Sequence, residues 1–483
     1  MSIKRNFIYN LVLHLSNVIF PIITIPYTSR VLGVEQIGIF SFVTTIVSYF
    51  ILFASLGIPL YGTREIAKVA DNKVKVNKLF NEIFSVNIVT SILTSLIFLL
   101  SITSIPLLIE KQGYFFLSGI SLYLSALNID WFFSGKENFS LIAKRSIIIK
   151  AISIGCLFLF VKSENDLIWY ILLNSLSLIG NQLWNIFTFN KEGYKIKFTL
   201  SSIEKHIKPL FILFLSTAAM QVYLMIDTLM LGFISTYHEV GLYTSAVKSI
   251  RIVMPVITAL GIVLIPKLSY YNTKEGQGNI QLILDKAFDV VNTLSVPLSV
   301  YFYCIADRFV PLFFGNEFIG AITPMKICAS LIFISNLSYF FSVQVLTSQQ
   351  KEMGLLISTI GGMVVNVVGN CLLIPKFGAS GASIASVAGE ICVALIGVFF
   401  VYKYKIFKAN WKSILITAFC CIPFILAYWI IDLEINNFNW ILIFSLISWP
   451  LFVAMKLALH KNSYSSITLI NLNNKLCRYF KAY

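Results

Sequence analysis

The stretch FIYNLVLHLSNVIFPIITIPYTSR, Phe7 to Arg30, decides the class of this chain. Its apolar part, Phe7 to Tyr27, matches the roughly 20 residues that a helix needs to cross a bilayer core. It closes on Pro26-Tyr27-Thr28-Ser29-Arg30, a polar and charged stop. The apolar region of a cleavable signal runs only about 7–15 residues, so this run reads as a spanning helix. Backbone that crosses lipid must satisfy its own hydrogen bonds, and an apolar run does so as a helix.

The rest of the chain repeats the pattern. Of 483 residues, 57% are hydrophobic and 12% charged, about half the charged share of soluble domains. A water-soluble chain so poor in polar side chains could not cover its own surface. Fourteen apolar segments read as spans 1 to 14: 7–29, 37–60, 83–105, 113–134, 146–162, 166–189, 209–234, 240–266, 286–306, 318–347, 352–375, 379–402, 412–432 and 437–459. Each is bounded by charge, Gly or Pro. The expected fold is an all-α polytopic membrane protein of about 14 transmembrane helices.

Loop charge tests the count independently. With the N-terminus cytoplasmic, 28 of the 37 Lys and Arg fall in inward-facing segments. Five (Arg30, Lys111, Lys162, Arg308, Lys376) face outward, and four (Lys150, Lys248, Arg251, Lys326) lie inside helices. One helix missed or invented mid-chain would erase that asymmetry, so both termini are expected in the cytoplasm. The net charge of +15 then orients the protein and meets anionic membrane lipids. No nucleic-acid partner is expected. Residues 461–483, with Lys475, Arg478 and Lys481, read as a cytoplasmic basic tail.

Two stretches echo each other. Leu32-Gly33, Glu35, Gly38 and Ser41 follow span 1; Leu231-Gly232, Glu239, Gly241 and Ser245 follow span 7. A repeat of six helices starts both copies on the same side, so they relate by an axis along the membrane normal. The expected organisation is an N-terminal lobe at 1–208, a C-terminal lobe at 209–408, a central cavity between them, and appended helices 13 and 14 at 409–460.

Ionisable groups within a membrane cost about 2.5–3.5 kcal/mol each, so they need partners or water and point to a cavity. Span 8 carries Lys248 and Arg251 one turn apart. Asp130 lies on span 4, Lys150 on span 5, Asp227 on span 7 and Glu390 on span 12. Asn174, Asn181, Gln182 and Asn185 gather on one side of span 6, and Asn366 and Asn370 are four apart on span 11. Each also has a structural reading. Asp227 either neutralises Lys248 across the hairpin or takes part in transport. Asp130, beside Trp131, fits an interfacial anchor, and the asparagines fit helix-to-helix glue. Gly381, Ala385 and Gly389 recur every four residues as a close-packing stripe, and His14 fits a packing histidine. Lys248 with Arg251 reads as functional, because two cations in one turn are costly unless an anion visits.

No P-loop, nucleophile elbow, His-Glu-x-x-His or acidic metal cluster appears. Outward loops are short, the longest near Asp307–Glu317. The chain therefore reads as a non-enzyme without cofactor, drawing on protons, sodium or the membrane potential. Seven cysteines lie in apolar runs and read as small buried hydrophobes.

In order along the chain, several stretches resemble one family: Pro26-Tyr27-Thr28-Ser29-Arg30-Val31-Leu32-Gly33, Tyr61-Gly62-Thr63-Arg64-Glu65 and Asp130-Trp131-Phe132-Phe133-Ser134-Gly135-Lys136-Glu137. Asp227 to Gly232, Ile265-Pro266-Lys267-Leu268-Ser269 and Ile374 to Ala382 continue the series. The chain resembles the bacterial polysaccharide-transporter (Wzx-like) flippases of the multidrug/oligosaccharidyl-lipid/polysaccharide exporter superfamily. The resemblance implies alternating access in a bacterial cytoplasmic membrane. It implies a polyprenyl (undecaprenyl) diphosphate-linked oligosaccharide as substrate, for capsule, O-antigen or similar polysaccharide. Polymerase and glycosyltransferases of the same pathway are the implied functional partners. On this reading Lys248 and Arg251 hold the diphosphate, Arg64 helps capture it and Arg30 helps release it. Asp130, Asp227, Asn174 and Asn366 complete the expected cavity. Two alternatives stand beside it. A membrane glycan polymerase or ligase usually shows a long outward loop, and a multidrug antiporter of the superfamily should have an acidic cavity.

Overall fold

The computed structural model describes residues 3–199, 203–262, 277–431, 437–460 and 463–466. Every regular element among the described residues is helical. The chain divides into two compact units, Met1–Gly241 and Leu242–Tyr483. The Ile265–Ser269 stretch, the basic tail from 467 onward and the side chain of His14 lie outside the described residues.

In the first unit, α1 (Ile3–Ser55) carries spans 1 and 2 as one element, broken at Gly33 with φ 77°. Then come α2 (Ile58–Val69), α3 (Lys73–Ser104), α4 (Gln112–Tyr123), α5 (Asp130–Gly135), α6 (Phe139–Phe160), α7 (Leu167–Lys191), α8 (Glu204–Ile234) and the start of α9 (Tyr237–Ile262). The second unit continues α9 and adds α10 (Gln277–Phe313), α11 (Ile322–Ala329) and α12 (Leu331–Ser338). A π-helical stretch at Tyr339–Val345 leads to α13 (Glu352–Lys403), which carries spans 11 and 12 and breaks at Gly378 with φ 51°. The last elements are α14 (Trp411–Phe419), α15 (Ile422–Ile430) and α16 (Asn437–Leu459).

Nine helical stretches among the described residues are long and apolar enough to cross a membrane. Two of them hold two expected spans each, and the more polar α6, α7 and α9 supply spans 5, 6 and 8. The fourteen expected segments are thereby accounted for. Their solvent shows on α3, where Ile92, Leu93, Leu96, Ile97 and Leu100 are all more than half exposed. So large an apolar stripe would be a liability in water and is at home against lipid.

Aromatic packing holds the first unit together at one end. The Phe80 ring lies 4.1 Å from Phe189 and 5.4 Å from Trp131. Two of the family-like stretches meet here. A Cβ on Gly62 would lie 2.4 Å from the Trp131 ring, so α2 reaches α5 only because residue 62 has no side chain. The echoed glycines also meet. A Cβ on Gly38 would strike the Tyr237 carbonyl oxygen at 1.7 Å, and one on Gly241 the Val34 carbonyl oxygen at 2.1 Å. The repeated motif thus marks a backbone-to-backbone contact between α1 and α9.

In the second unit, Phe288, Phe340, Phe341 and Phe407 form one core, and Phe424, Trp440 and Phe444 anchor another between α14, α15, α16 and α10. The small-residue stripe packs as expected: a Cβ on Gly362 would come within 2.9 Å of the Gly389 carbonyl oxygen. Cys304, Cys328, Cys420 and Cys421 are buried, Cys156 and Cys392 half-buried, while Cys371 is exposed, correcting the expectation for that residue.

Candidate functional site

α6 places two cations inside the first unit. It begins at Phe139, seven residues before the expected start of span 5, so Arg145 sits in the helix and not in an inward loop. Lys144 and Arg145 are neighbours about 100° apart around the axis; Lys144 is exposed and Arg145 only 2% exposed. Each of the three nitrogens of the Arg145 guanidinium donates. Its Nε donates to Asn181 Oδ1 at 2.9 Å, one terminal nitrogen donates to Asn185 Oδ1, and the other to Asp130 Oδ1 at 2.9 Å. Asn185 also donates to Asp130 Oδ1 at 2.6 Å. Asp130, expected at an interface, is half-exposed and fixed as the counter-charge of Arg145.

Lys150 lies five residues on, about 140° around the helix from Arg145. Its amine donates to Ser16 Oγ at 3.2 Å and to Asn17 Oδ1, and stands 5.5 Å from the centre of the Phe20 ring. Among the described residues no carboxylate lies within ion-pairing distance of it. The amine borders a cavity of about 290 Å³ between α1, α6 and α7, where Asn174 also lies. Asn174, Asn181 and Asn185 are spaced by seven and four residues and share a face of α7. That one stripe serves the cavity at one level and Arg145 at another.

A third buried cluster was not legible in the sequence. His206 at the start of α8 and Glu82 on α3 are each 2% exposed. Tyr61 Oη and His206 Nδ1 are 2.7 Å apart, His206 Nε2 and Glu82 Oε2 are 3.1 Å apart, and Lys205 donates to Glu82 Oε2 at 2.8 Å. Arg64 is exposed on α2, donates to Glu65 Oε1 at 2.9 Å and lies 5.5 Å over the Tyr61 ring. Glu65 also holds Lys68 at 2.8 Å.

The remaining expected site residues belong to several helices of the two units. Arg30 is exposed on α1, and Asp227 is buried on α8. In the second unit, Lys248 is half-buried and Arg251 exposed, one turn apart on α9. Asn366 is buried on α13 and accepts a hydrogen bond from Asn370 at 3.2 Å. Glu390 accepts one from Ser338 at 2.6 Å.

Between the observed ends of the helices, Phe160 and Leu167, the loop from α6 to α7 is capped electrostatically. The Asp166 carboxylate accepts from the backbone N–H groups of Lys162 and Ser163 and from the Ser163 hydroxyl. Those bonds hold its pKa below the ordinary aspartate value, the Lys162 N–H first. Lys136 pairs with Glu192 at 2.7 Å. Burial opposes its charge, but the bonds to Glu192 and Tyr194 outweigh that and raise its pKa.

Helical spans, a lipid-facing apolar exterior, and charge and a polar cavity held inside the helices define a polytopic membrane protein. Comparison with known proteins gives the family. Residues 3–272, more than half of the chain, match the family described as "Polysaccharide biosynthesis protein", and the chain belongs to it. It is 27% identical over 415 residues to a "Putative O-antigen transporter" of Escherichia coli (strain K12), covering 84% of this chain and 98% of that one. A shorter likeness, 23% over 164 residues and 34% of each chain, links it to a "Probable low-salt glycan biosynthesis flippase Agl15" of Haloferax volcanii. In fold it is similar to a solved lipid II flippase, MurJ, with TM-score 0.76 and 14% identity, covering 94% of this chain and 99% of that one. A multidrug resistance MATE family transporter of the MOP superfamily follows, with TM-score 0.61, 14% identity, and 82% and 97% covered.

Proposed function

We propose that the chain is a flippase. It moves polyprenyl (undecaprenyl) diphosphate-linked oligosaccharide repeat units from the cytoplasmic to the outer leaflet of a bacterial cytoplasmic membrane by alternating access. The observation that carries this reading is the likeness to a putative O-antigen transporter along 98% of that relative's length. The physics supports it. A wet, anionic sugar diphosphate cannot enter hydrocarbon unaided, and this fold keeps cations and amides within its spans. Both termini are assigned to the cytoplasm on the asymmetry of Lys and Arg. Lys248 and Arg251 hold the diphosphate, with Arg64 at capture and Arg30 at release, and Asp227 and Asn366 are further candidate contacts. Asp130 enters the proposal as the carboxylate that fixes Arg145. Polymerase and glycosyltransferases of the same pathway consume and supply the cargo.

Moving a charge of about −2 outward against an inside-negative potential is favourable by roughly 2.3 kcal/mol per charge per 100 mV, so the potential can assist export. Proton or sodium entry is an optional addition. The test is translocation of a fluorescent lipid-diphosphate oligosaccharide in liposomes containing only this protein. Transport is expected, faster with an imposed potential, and lost in Lys248→Ala/Arg251→Ala at normal membrane levels. No transport by the wild type would end the reading, and normal transport by the double variant would remove that pair from the site.

A further inference from the structure

The cavity beside Lys150 has a composition that the diphosphate does not explain. The lysine ammonium carries three donors, and the protein engages two of them, with Ser16 and Asn17. Both partners are neutral, as is the Phe20 ring. Arg145, on the same helix, has its charge matched by Asp130. A lysine inside a span costs up to about 2.5–3.5 kcal/mol to insert, and an anion entering the cavity offsets that cost.

The rest of the lining suits a sugar. Pro21 has no N–H, so the helical acceptor four residues earlier, the Asn17 carbonyl, loses its usual donor at the cavity edge. That oxygen is available to a hydroxyl. Asn17, Asn174 and Ser177 add donors and acceptors, and the Tyr170 and Phe20 rings supply apolar walls. Apolar walls with a few polar groups fixing orientation are the general build of small-ligand sites, and about 290 Å³ stands at their lower size limit. One ring fits, not a chain.

We propose that this cavity, bounded by Lys150, Asn17 and Asn174, is a separate recognition site for a single carboxylate-bearing sugar, a hexuronic acid of the glycan headgroup. The proposal rests on reading the chain as a glycan carrier. One lysine matches the single charge of a carboxylate. A diphosphate of charge about −2 asks for two cations, as Lys248 and Arg251 provide. A phospholipid headgroup is the wrong depth: Lys150 lies four residues, about 6 Å, from the middle of span 5, whereas headgroups lie about 15 Å from the centre of a core roughly 30 Å thick.

The test is calorimetric binding to the purified full chain in lipid nanodiscs, with methyl glucuronide, methyl glucoside and inorganic pyrophosphate as probes. The wild type is expected to bind the glucuronide more tightly than the glucoside. Lys150→Gln should weaken the glucuronide at least about tenfold, the value of one charge-assisted bond, and Lys150→Arg should restore most of it. No glucuronide binding by the wild type, equal binding by Lys150→Gln, or displacement of the glucuronide by pyrophosphate would each overturn the proposal. In liposomes, Lys150→Gln should lower the ratio of acidic to neutral lipid-linked cargo transported by at least about fivefold. An unchanged ratio counts against the site. A wild type that transports neither cargo sinks the flippase reading instead, while the binding measurement still decides the cavity.

Discussion

Arg145 and Lys150 stand five residues apart on one helix, and their surroundings could hardly differ more. Arg145 is 2% exposed and spends its donors on Asp130, Asn181 and Asn185. Lys150 has two neutral oxygens, an aromatic ring and a cavity. A buried cation with a carboxylate and two amides has its charge compensated by the fold itself. One facing a cavity with no carboxylate in reach leaves room for an anion from outside. Charge in a span signals function only once its partners are known.

Removing each cation in turn separates the two environments. Arg145→Met leaves Asp130 without its counter-charge and two amides without their donor. We expect a loss of about 3 kcal/mol, the low end for a broken buried pair because Asp130 is half-exposed. Lys150→Met should leave stability unchanged or slightly higher, since an apolar side chain replaces an ion without a carboxylate. Thermal unfolding in detergent reads both, and equal losses would erase the distinction. Next in size, Asn185→Leu should cost about 1.5–3 kcal/mol, because it severs bonds to charged groups on both sides. Asn174→Leu, on the same stripe but at the cavity, should stay within about 0.5 kcal/mol in the same assay.

Asp130→Asn is smaller. It keeps an acceptor for Arg145 and removes a charge already screened by solvent, so about 1 kcal/mol is expected. A loss as large as that of Arg145→Met would mean that the carboxylate, and not the network, carries the stability. The smallest effect concerns the loop that joins the two helices. Asp166 has a depressed folded-state pKa. Its contribution is therefore complete above the ordinary aspartate value of about 3.9 and is lost as pH falls through the lower folded value. Protection of the Lys162 and Ser163 amides from hydrogen exchange should fall across that acid window, and Asp166→Asn should flatten the dependence.

Much of the fold was legible because hydropathy is a local sum. The spans, their order and their polar faces follow from runs of side chains, and the stripe on α7 was visible from its spacing. Two breaks were not. Spans 1 and 2, and 11 and 12, join through Gly33 and Gly378, where one positive-φ residue replaces a loop. Two cations also hid among their neighbours: Arg145 and Lys456, counted with the inward-facing segments, are both buried, with Lys456 donating to Thr417 at 2.6 Å. The sequence around them is basic, and nothing local distinguishes a snorkelling cation from a paired one. For Arg145 one signal existed in hindsight: an acid on span 4 and two asparagines on span 6 at matching depth.

Local runs of side chains set the solvent of this protein, the kind and number of its helices, and a set of polar residues that must avoid lipid. Each of those depends on neighbours along the chain. Which of those polar residues satisfy one another is settled in three dimensions. Arg145 meets Asp130 across 15 residues and Asn181 across 36, and His206 meets Glu82 across 124. Such meetings depend on how far each helix is rotated about its axis and which helix it packs beside. Close approaches such as Gly62 on Trp131 fix both. Hydrophobic periodicity gives a helix its buried side, but packing chooses the partner that stands there.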